Sequence, residues 1–389
     1  MKQEVQYLLE IVKYISNNKS GELAIPAKDM DWGLLVKLAQ NHSISNLVHY
    51  GVDCLPSEHK PDEETCKRLY QSSINAIVRS FNQIEGTKEL FQAFEKEGIY
   101  ALAVKGICTK QHYPQPDMRT MGYVDILYQP QQNDKVKKGM RDLGYEQSME
   151  GRKHDIYSRR PYMAIEMHRE LVAAGSKYGS YYESIWNRVK TKENSKYIYE
   201  MNREDEYIFT IVHLAGHFKD GGIGIRFVMD VYVYNHLDGM DWDYVETELK
   251  KLKLWEFYEN ISQLAEAWFG IAEKSNEESN ELINRLSTFI ITNGTFGSTR
   301  NAAAAATAGE GRFQSLLNAV FPSLKSMQSM FEWLKKWPIL LPYAWILRGI
   351  RSVMSRRRRM NIKYHVDKYR SGDKEYGEEL QRFFEICGL

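Results

Sequence analysis

Asp125 is the first residue of the chain whose type and position point to chemistry. It interrupts an apolar run, Val124 to Tyr128, which reads VDILY and is typical of a buried strand. A carboxylate in such a strand is costly unless it is paired, exposed on one face of the sheet, or bound to a metal ion. Carboxylates that share a face of a sheet form oxygen cages for Mg²⁺. Asp125 is therefore a candidate metal ligand.

A second candidate site lies at the end of the preceding apolar run, Tyr100 to Val104. The run stops at Lys105 and Gly106, and a short helical pattern follows. A strand that breaks at a glycine and leads into a helix leaves backbone N–H groups unpaired, and the helix dipole favours negative charge there. The turn at Gly106 is therefore a candidate phosphate-binding site. Lys105 either supplies a positive charge to that phosphate or is an exposed lysine at a strand end.

Apolar runs separated by glycine and proline turns predict a small mixed sheet around these residues. The predicted helix Asp134 to Leu143 ends at Gly144, a good C-terminal stop. The predicted strands are Tyr100 to Val104, Val124 to Tyr128, His154 to Ser158 and Tyr162 to His168. No strand is predicted after Leu171. The order of these elements is that of a small mixed α/β sheet.

Helical regions flank the sheet on both sides, so the predicted fold class is α+β. Residues 1–98 form an N-terminal helical region, because apolar side chains recur at helical spacing from Val5 to Ile15 and in a long helix from Asp62 to Lys96. Residues 99–172 form the α/β core, and 173–300 form a second helical region. Residues 301–389 comprise an Ala-rich connector and a basic C-terminal helical tail.

The composition excludes several classes of protein. The 52 Lys and Arg residues against 51 Asp and Glu give a formal net charge of +1, so no global field draws the chain to nucleic acid. The four cysteines include no CxxC pair, which argues against a zinc ribbon or a disulfide framework and is typical of reduced thiols. The longest apolar run, Trp337 to Leu347, is far shorter than the roughly 20 residues that span a bilayer. We therefore expect a cytoplasmic protein with no transmembrane segment.

Four motifs occur in order along the chain: VKGICTKQHYPQPDMRTMGYVDIL from Val104, IEMHREL from Ile165, HLAGHF from His213 and IRFVMD from Ile225. Together they resemble the poorly characterised nucleotidyltransferase family within the polymerase-beta-like superfamily. The resemblance covers most of the chain from about residue 80 to 350, and its specific part is residues 104–168. It implies a small mixed sheet whose acidic residues hold divalent metal, and transfer of a nucleotidyl group from a nucleoside triphosphate.

The resemblance also implies a site and its partners. Two metal ions in a carboxylate cage activate the attacking oxygen and neutralise the leaving pyrophosphate. The acidic pair of the family falls at positions 123 and 125 and its third carboxylate at Glu166, so Asp125 and Glu166 are implied as catalytic ligands of Mg²⁺ or Mn²⁺. The implied partners are a nucleoside triphosphate and an acceptor that is a small molecule, a protein or an RNA. The oligomeric state stays unknown.

Position 123 departs from the family pattern. It holds Tyr123, whose phenol is protonated at neutral pH and is a poor Mg²⁺ ligand. Three interpretations stay open. Asp117 or another acid on the preceding loop substitutes for the missing acid, or the protein binds a nucleotide with one metal and reacts slowly. In the third interpretation catalysis has been lost, which leaves a non-catalytic nucleotide-binding or scaffold protein that retains the fold.

Two further residues are candidates for substrate binding. Arg119 precedes the second strand and either clamps phosphate through two hydrogen bonds or forms a salt bridge to Asp117 or Glu166. His168 is two residues after Glu166, so both should face the same side of the strand. A metal ligand, a group that orients its neighbour by a hydrogen bond, and a half-buried histidine all fit this position.

The chain after the sheet offers weaker candidates. His213 and His217 are four residues apart, a spacing able to hold zinc, but the glutamate of a metalloprotease motif is missing. Arg226 and Asp230 have the same spacing, which an ion pair within one helix explains. The run Arg356 to Arg359 is either a solvated basic face or a contact for RNA, nucleotide or anionic membrane.

Overall fold

The residues described by the computed structural model are 2–151, 153–161, 163–173, 175–271, 281–294, 301, 321–328, 331–354 and 374–389. The chain divides into two units. The first comprises Met1–Ala215, Gly224–Thr295 and Gly388, and the second comprises Gly216–Ile223, Phe296–Cys387 and Leu389. The sheet and the acidic residues predicted from the sequence lie in the first unit.

The residues before the sheet form helices, as their apolar spacing predicts. The long helix begins after Asp62, whose carboxylate accepts the N–H of Thr65 at 2.9 Å. It ends at Gly98, whose φ of 65° is accessible to glycine at little cost. The helices are α1 (Gln3–Ser16), α2 (Trp32–Asn41), α3 (Ser45–Asp53) and α4 (Glu63–Glu97).

The described part of the first unit contains a seven-stranded mixed sheet with the strand order β3-β4-β5-β2-β1-β7-β6. The strands are β1 (Ala101–Val104), β2 (Val124–Tyr128), β3 (Glu146–Met149), β4 (His154–Arg159), β5 (Met163–His168), β6 (Lys190–Thr191) and β7 (Ile198–Glu200). The short helix α5 (Gly106–Thr109) follows β1. β2 runs parallel to β5 and antiparallel to β1, so it occupies the middle of the sheet.

The two faces of the sheet differ in chemistry because side chains alternate along each strand. Val124, Ile126 and Tyr128 of β2 belong to a buried apolar core to which α4 and α6 (Asn133–Asp142) also contribute. Asp125 lies between these residues and therefore faces the opposite side. One face thus packs against helices, and the other carries the candidate metal ligand.

The fold class is confirmed, because the structure combines a mixed sheet with helices before and after it, and the four predicted strands match to within one residue at each end. The expectation that strands stop at Leu171 is wrong. β6 and β7 lie within 173–300, and β7 pairs in parallel with β1. β3 was also missed. These three strands are short and largely polar, so pairing with the sheet makes them strands rather than any pattern of their own.

The residues after the sheet are mainly helical, as predicted. In the first unit and at its boundary the helices are α7 (Gly179–Tyr182), α8 (Arg203–Asp220), α9 (Ile225–Asn235), α10 (Trp242–Lys251), α11 (Trp255–Phe269) and α12 (Glu281–Asn293). The second unit contains the helices Leu324–Gln328, Leu341–Met354 and Lys374–Ile386. Arg356 to Arg359 and most of the Ala-rich connector lie outside the described residues. Among the described helices, none has the length and apolar character needed to cross a membrane.

His42 joins three helices of the first unit. It follows α2 and is fully buried. Its Nδ1 accepts the N–H of Ile225 in α9 at 3.1 Å, and its Nε2 lies 3.1 Å from the carbonyl oxygen of Ile291 in α12. Since Nδ1 accepts, the ring is neutral and its Nε2–H donates to Ile291. Burial lowers the pKa of His42 to about 4, although the hydrogen bond to Ile291 opposes part of that shift.

The free energy of unfolding should therefore decrease as the pH falls from 6.5 towards 4. The unfolded state binds the proton with a pKa near 6.5 and the folded state with a pKa of about 4, so the contribution of His42 is complete above 6.5 and is lost towards 4. Between pH 7 and pH 5 the loss is about 2 kcal/mol. Urea unfolding should show that His42→Gln is less sensitive to pH over this interval than the wild-type protein.

His59→Gln is the matched control, because His59 is only partly buried and lies in the loop before α4. We expect this control to keep the pH sensitivity of the wild-type protein. An unchanged pH sensitivity in His42→Gln would contradict the assignment of the acid-sensitive contribution to His42.

Candidate functional site

The two acids implied by the sequence lie side by side on neighbouring strands. β2 and β5 are parallel, and their register pairs Asp125 with Glu166. Paired residues on adjacent strands point to the same face of a sheet. The structure therefore brings both carboxylates together on the face opposite the apolar core.

Asp125 is buried and has two cationic or hydrogen-bonding partners. Its Oδ1 lies 2.6 Å from Lys105 Nζ and 2.8 Å from His168 Nε2. Burial by itself would raise the pKa of Asp125, but the Lys105 ammonium and the hydrogen bond from His168 outweigh it and hold the pKa well below its usual range. Asp125 is therefore ionised at neutral pH.

His168 lies between the two carboxylates. Its Nε2 is 2.8 Å from Asp125 Oδ1 and 3.3 Å from Glu166 Oε2. Burial would lower the pKa of His168, but its hydrogen bonds to Asp125 and Glu166 outweigh burial and raise the pKa. The expectation that His168 and Glu166 share one side of the strand is confirmed by these contacts. These hydrogen bonds fit the orienting role for His168, and its role as a metal ligand stays a prediction.

His154 is a member of this site that the sequence analysis missed. It lies on β4 opposite His168, and the two ring centroids are 5.0 Å apart. Its Nε2 is 4.0 Å from Glu166 Oε1. Burial lowers the pKa of His154, although Glu166 opposes part of that shift. The register of the β4–β5 hairpin could have predicted this position. Pairing Arg159 with Met163 across a short turn places His154 opposite His168.

These residues suit a divalent cation. Ligand atoms of His154, Glu166 and His168 all lie within 4.8 Å of one another. Asp125 adds a carboxylate at hydrogen-bond distance from His168. Carboxylate oxygen and imidazole nitrogen are both common metal ligands in proteins. The site therefore offers two oxygen-donating and two nitrogen-donating side chains on three adjacent strands.

Lys105 has an unusual backbone conformation for a lysine. It precedes α5 with a φ of 60° and a ψ of −135°, a region that glycine adopts far more readily than residues with a Cβ. Its side chain contacts Asp125, whereas the sequence left it as a phosphate ligand or an exposed lysine. Local strain combined with an ion pair to a buried acid is typical of a functional position.

Gly106 allows a close approach between its turn and the loop before β2. A Cβ added at Gly106 would lie 3.2 Å from Met121 Sδ and 3.4 Å from Arg119 Nη1, which is tighter than most such contacts. Arg119 forms a salt bridge, but its partner is Asp230 of α9, with Nε to Oδ1 and Nη2 to Oδ2 both at 2.8 Å. The salt bridge expected to Asp117 or Glu166 is therefore replaced by one to a helix distant in sequence.

Asp230 pairs with Arg119 rather than with Arg226 of its own helix, so the expected intrahelical ion pair is wrong. Asp230 is almost fully buried and also accepts a hydrogen bond from Tyr113 at 2.7 Å. Arg226 donates from Nη1 to the carbonyl oxygen of Thr120 at 2.7 Å. A buried carboxylate needs several hydrogen-bond donors. Tyr113 and Arg119, both in the segment before β2, supply them to Asp230.

Neither Tyr123 nor Asp117 adds a carboxylate beside Asp125. Tyr123 precedes β2 and is 43% exposed. Asp117 accepts a hydrogen bond from Tyr50 of α3, and its carbonyl oxygen accepts another from Asn46 at 2.9 Å. Asp117 is therefore engaged with the N-terminal helices, and substitution for the missing acid finds no support in its contacts.

One cavity borders the polar face of the sheet, and a second lies at the start of β5 and is also lined by Met163 of the apolar core. One of about 350 Å³ is lined by Leu127, which pairs with His168 in the sheet, and by Arg169 and Trp186. The other, of about 760 Å³, is lined by Ala164, two residues before Glu166, and by three arginines, Arg79, Arg159 and Arg160. The cavity beside Leu127 and Arg169 therefore gives the polar face space for a ligand.

The first histidine of the pair on α8 has aromatic neighbours. The ring of His213 neighbours those of Phe209 and Phe227, with centroids 6.5 Å and 6.4 Å away. The second histidine of that motif, His217, belongs to the second unit. The two histidines therefore belong to different units of the chain.

Lys105→Gly should be more stable than Lys105→Ala by about 1 kcal/mol, because both lose the ion pair while only alanine keeps the cost of a positive φ. Chemical denaturation measures the difference. Lys138, an exposed residue within α6, is the matched control position, and there alanine should be the more stable replacement. Equal or higher stability of Lys105→Ala would contradict the strained backbone at Lys105.

Comparison with known proteins identifies a family for this chain. A family model described as an uncharacterised nucleotidyltransferase matches residues 28–270, a range that includes the whole sheet and both acids. No curated protein and no solved structure matches the chain significantly. The family match covers more than half of the chain, and the protein therefore belongs to this family of uncharacterised nucleotidyltransferases.

Proposed function

We propose that the protein transfers a nucleoside monophosphate from a nucleoside triphosphate to an acceptor in a reaction that requires Mg²⁺ or Mn²⁺. The observation that carries the proposal is the register of β2 and β5, which sets Asp125 directly beside Glu166 in a member of a nucleotidyltransferase family. Paired carboxylates at this place suit metal-assisted phosphoryl chemistry.

Asp125 and Glu166 are the residues that would hold the metal ion. A divalent ion bound there supplies positive charge to the triphosphate and to the leaving pyrophosphate. Both partners of Asp125, Lys105 and His168, bind its Oδ1. Among the described contacts of Asp125, Oδ2 is thus the oxygen left for a ligand. Lys105 and His168 also fix the orientation of the carboxylate, which limits its reorganisation during the reaction.

The phosphates would lie against the turn at Lys105 and Gly106. The small glycine lets this turn approach Arg119, whose Nη1 also donates to the carbonyl oxygen of Thr120 at 2.8 Å. In this proposal Arg119 positions the turn through its salt bridge to Asp230 and adds positive charge beside the phosphates. The acceptor would occupy the cavity beside Leu127 and Arg169, and its class is a small molecule, a protein or an RNA.

A second candidate function is nucleotide binding without transfer. Two observations favour it: Tyr123 removes one carboxylate that the family pattern expects, and the Lys105 ammonium already neutralises part of the charge on Asp125. Each reduces the attraction of the site for divalent ions. The two functions differ in whether pyrophosphate is released.

We also propose a cytoplasmic location. It rests on the four cysteines, Cys54, Cys66, Cys108 and Cys387, which form no disulfide bond with one another. Disulfide-free cysteines are typical of a reducing compartment.

Asp125→Asn and Glu166→Gln should each lower the rate of transfer roughly a hundredfold or more, the scale of losing one preorganised charged group. Pyrophosphate release from each of the four nucleoside triphosphates, with Mg²⁺ or Mn²⁺ present, measures the rate. Asp142→Asn, which removes an exposed acid from α6, is the control and should keep full activity. Release that Asp125→Asn leaves unchanged would rule out the proposed site.

Tyr123→Asp should tighten Mg²⁺ binding about tenfold, because it adds a third carboxylate two residues before Asp125. Tyr123 is exposed, so the fold should tolerate the change. Calorimetric titration with Mg²⁺ measures the affinity, and Tyr123→Asn serves as the uncharged control. A faster reaction together with tighter binding would show that the natural residue limits catalysis, whereas equal Mg²⁺ affinity in both variants would place the ion elsewhere.

A further inference from the structure

We propose that His154, Glu166 and His168 form a site for one divalent transition-metal ion, of the class of Mn²⁺, Co²⁺ or Zn²⁺, which binds there in preference to Mg²⁺. This inference deepens the proposed function and rests on it for the role of the ion. It assigns His154 as a metal ligand, a role that the spacing of residues in the sequence did not suggest.

The separations between the donor atoms fit a single coordination sphere. His168 Nε2 lies 3.3 Å from Glu166 Oε2, and His154 Nε2 lies 4.0 Å from Glu166 Oε1. With bonds of about 2.1 Å, neighbouring ligands lie roughly 3.0 to 3.4 Å apart and opposite ligands about 4 Å apart. The three side chains therefore need only small rotations to share one ion.

The backbone holds these donors in place. Glu166 and His168 are two residues apart on β5, and His154 pairs with His168 across the β4–β5 ladder. Ligands on paired strands are positioned by the hydrogen bonds of the sheet and not by a loop. The distances between the donor atoms therefore vary little. His154 is partly exposed, so solvent and substrate can reach this side of the site.

Two imidazoles change which metal the site prefers. Mg²⁺ selects oxygen ligands and loses its water reluctantly, whereas imidazole nitrogen suits the later first-row ions. A carboxylate-only cage at Asp125 and Glu166 would favour Mg²⁺. The addition of His154 and His168 shifts the preference away from Mg²⁺, most strongly towards Co²⁺ and Zn²⁺ and least towards Mn²⁺.

The surroundings of Asp125 favour one ion over two. Asp125 lies 2.8 Å from His168 Nε2, which makes it a nearby fourth donor for the same ion. Its other partner is the Lys105 ammonium at 2.6 Å, which would repel a second divalent ion on that side. Tyr123 stands where the family pattern expects the acid that helps bridge two ions.

The test is titration of the purified full-length protein, stripped of metal with a chelator, with Co²⁺, Mn²⁺ and Mg²⁺ as chloride salts without nucleotide. We expect Co²⁺ to bind at least tenfold more tightly than Mg²⁺ and to show the visible absorption of nitrogen-ligated Co²⁺. His154→Ala should weaken Co²⁺ and Mn²⁺ binding 10- to 100-fold and alter the Co²⁺ spectrum, while Mg²⁺ affinity changes less than twofold.

Two further variants keep the test decisive. His154→Gln retains a polar side chain of similar length and covers the case in which the alanine variant fails to fold. His236→Ala is the matched control, because His236 also faces a glutamate, with Nε2 3.7 Å from Glu266 Oε1, but directly follows the end of α9 and is not on the sheet. Its metal affinities should equal those of the wild-type protein.

Equal affinity for Co²⁺ and Mg²⁺, or Co²⁺ binding that both His154 variants leave unchanged, would overturn the inference and leave the transfer reaction standing on Asp125 and Glu166. Failure of Co²⁺ and Mn²⁺ to bind would also overturn it. If Co²⁺ binds as expected but no nucleoside triphosphate releases pyrophosphate with any of the ions, the metal site stands and the proposed function fails.

Discussion

The parallel pairing of β2 with β5 is the constraint on which the rest of the site depends. It sets Asp125 beside Glu166, and the side-chain alternation of each strand then turns both acids away from the apolar core. A shift of one residue in this register would bury one acid among the core side chains and expose its apolar neighbours. Burial of the apolar side chains on the core face therefore fixes the register that pairs Asp125 with Glu166 on the polar face.

Two adjacent carboxylates repel each other, and the structure balances them with its own side chains. Lys105 and His168 both contact Asp125, and His168 also contacts Glu166. The lysine adopts a backbone conformation that costs free energy, which its contact with the buried acid offsets. These two partners therefore stabilise the ionised form of Asp125 in a buried position.

The salt bridge between Arg119 and Asp230 connects the site to the helices that follow the sheet. Both side chains are buried, and the bidentate geometry fixes the loop that leads into β2. Tyr113 donates to the same carboxylate, and the turn at Gly106 packs against Arg119. These contacts thus hold the loop before β2, the turn at Gly106 and α9 together.

The sequence by itself determined the elements whose signals are local. Helical spacing, the cap at Asp62, the stop at Gly98 and the apolar run around Asp125 predicted helices and strands close to their observed ends. It did not determine the short strands of the sheet edges, the position of His154 opposite His168 or the partner of Arg119. Those features arise from pairings between segments far apart in the chain, and only the folded sheet and its packed helices bring the paired groups within hydrogen-bonding or electrostatic range.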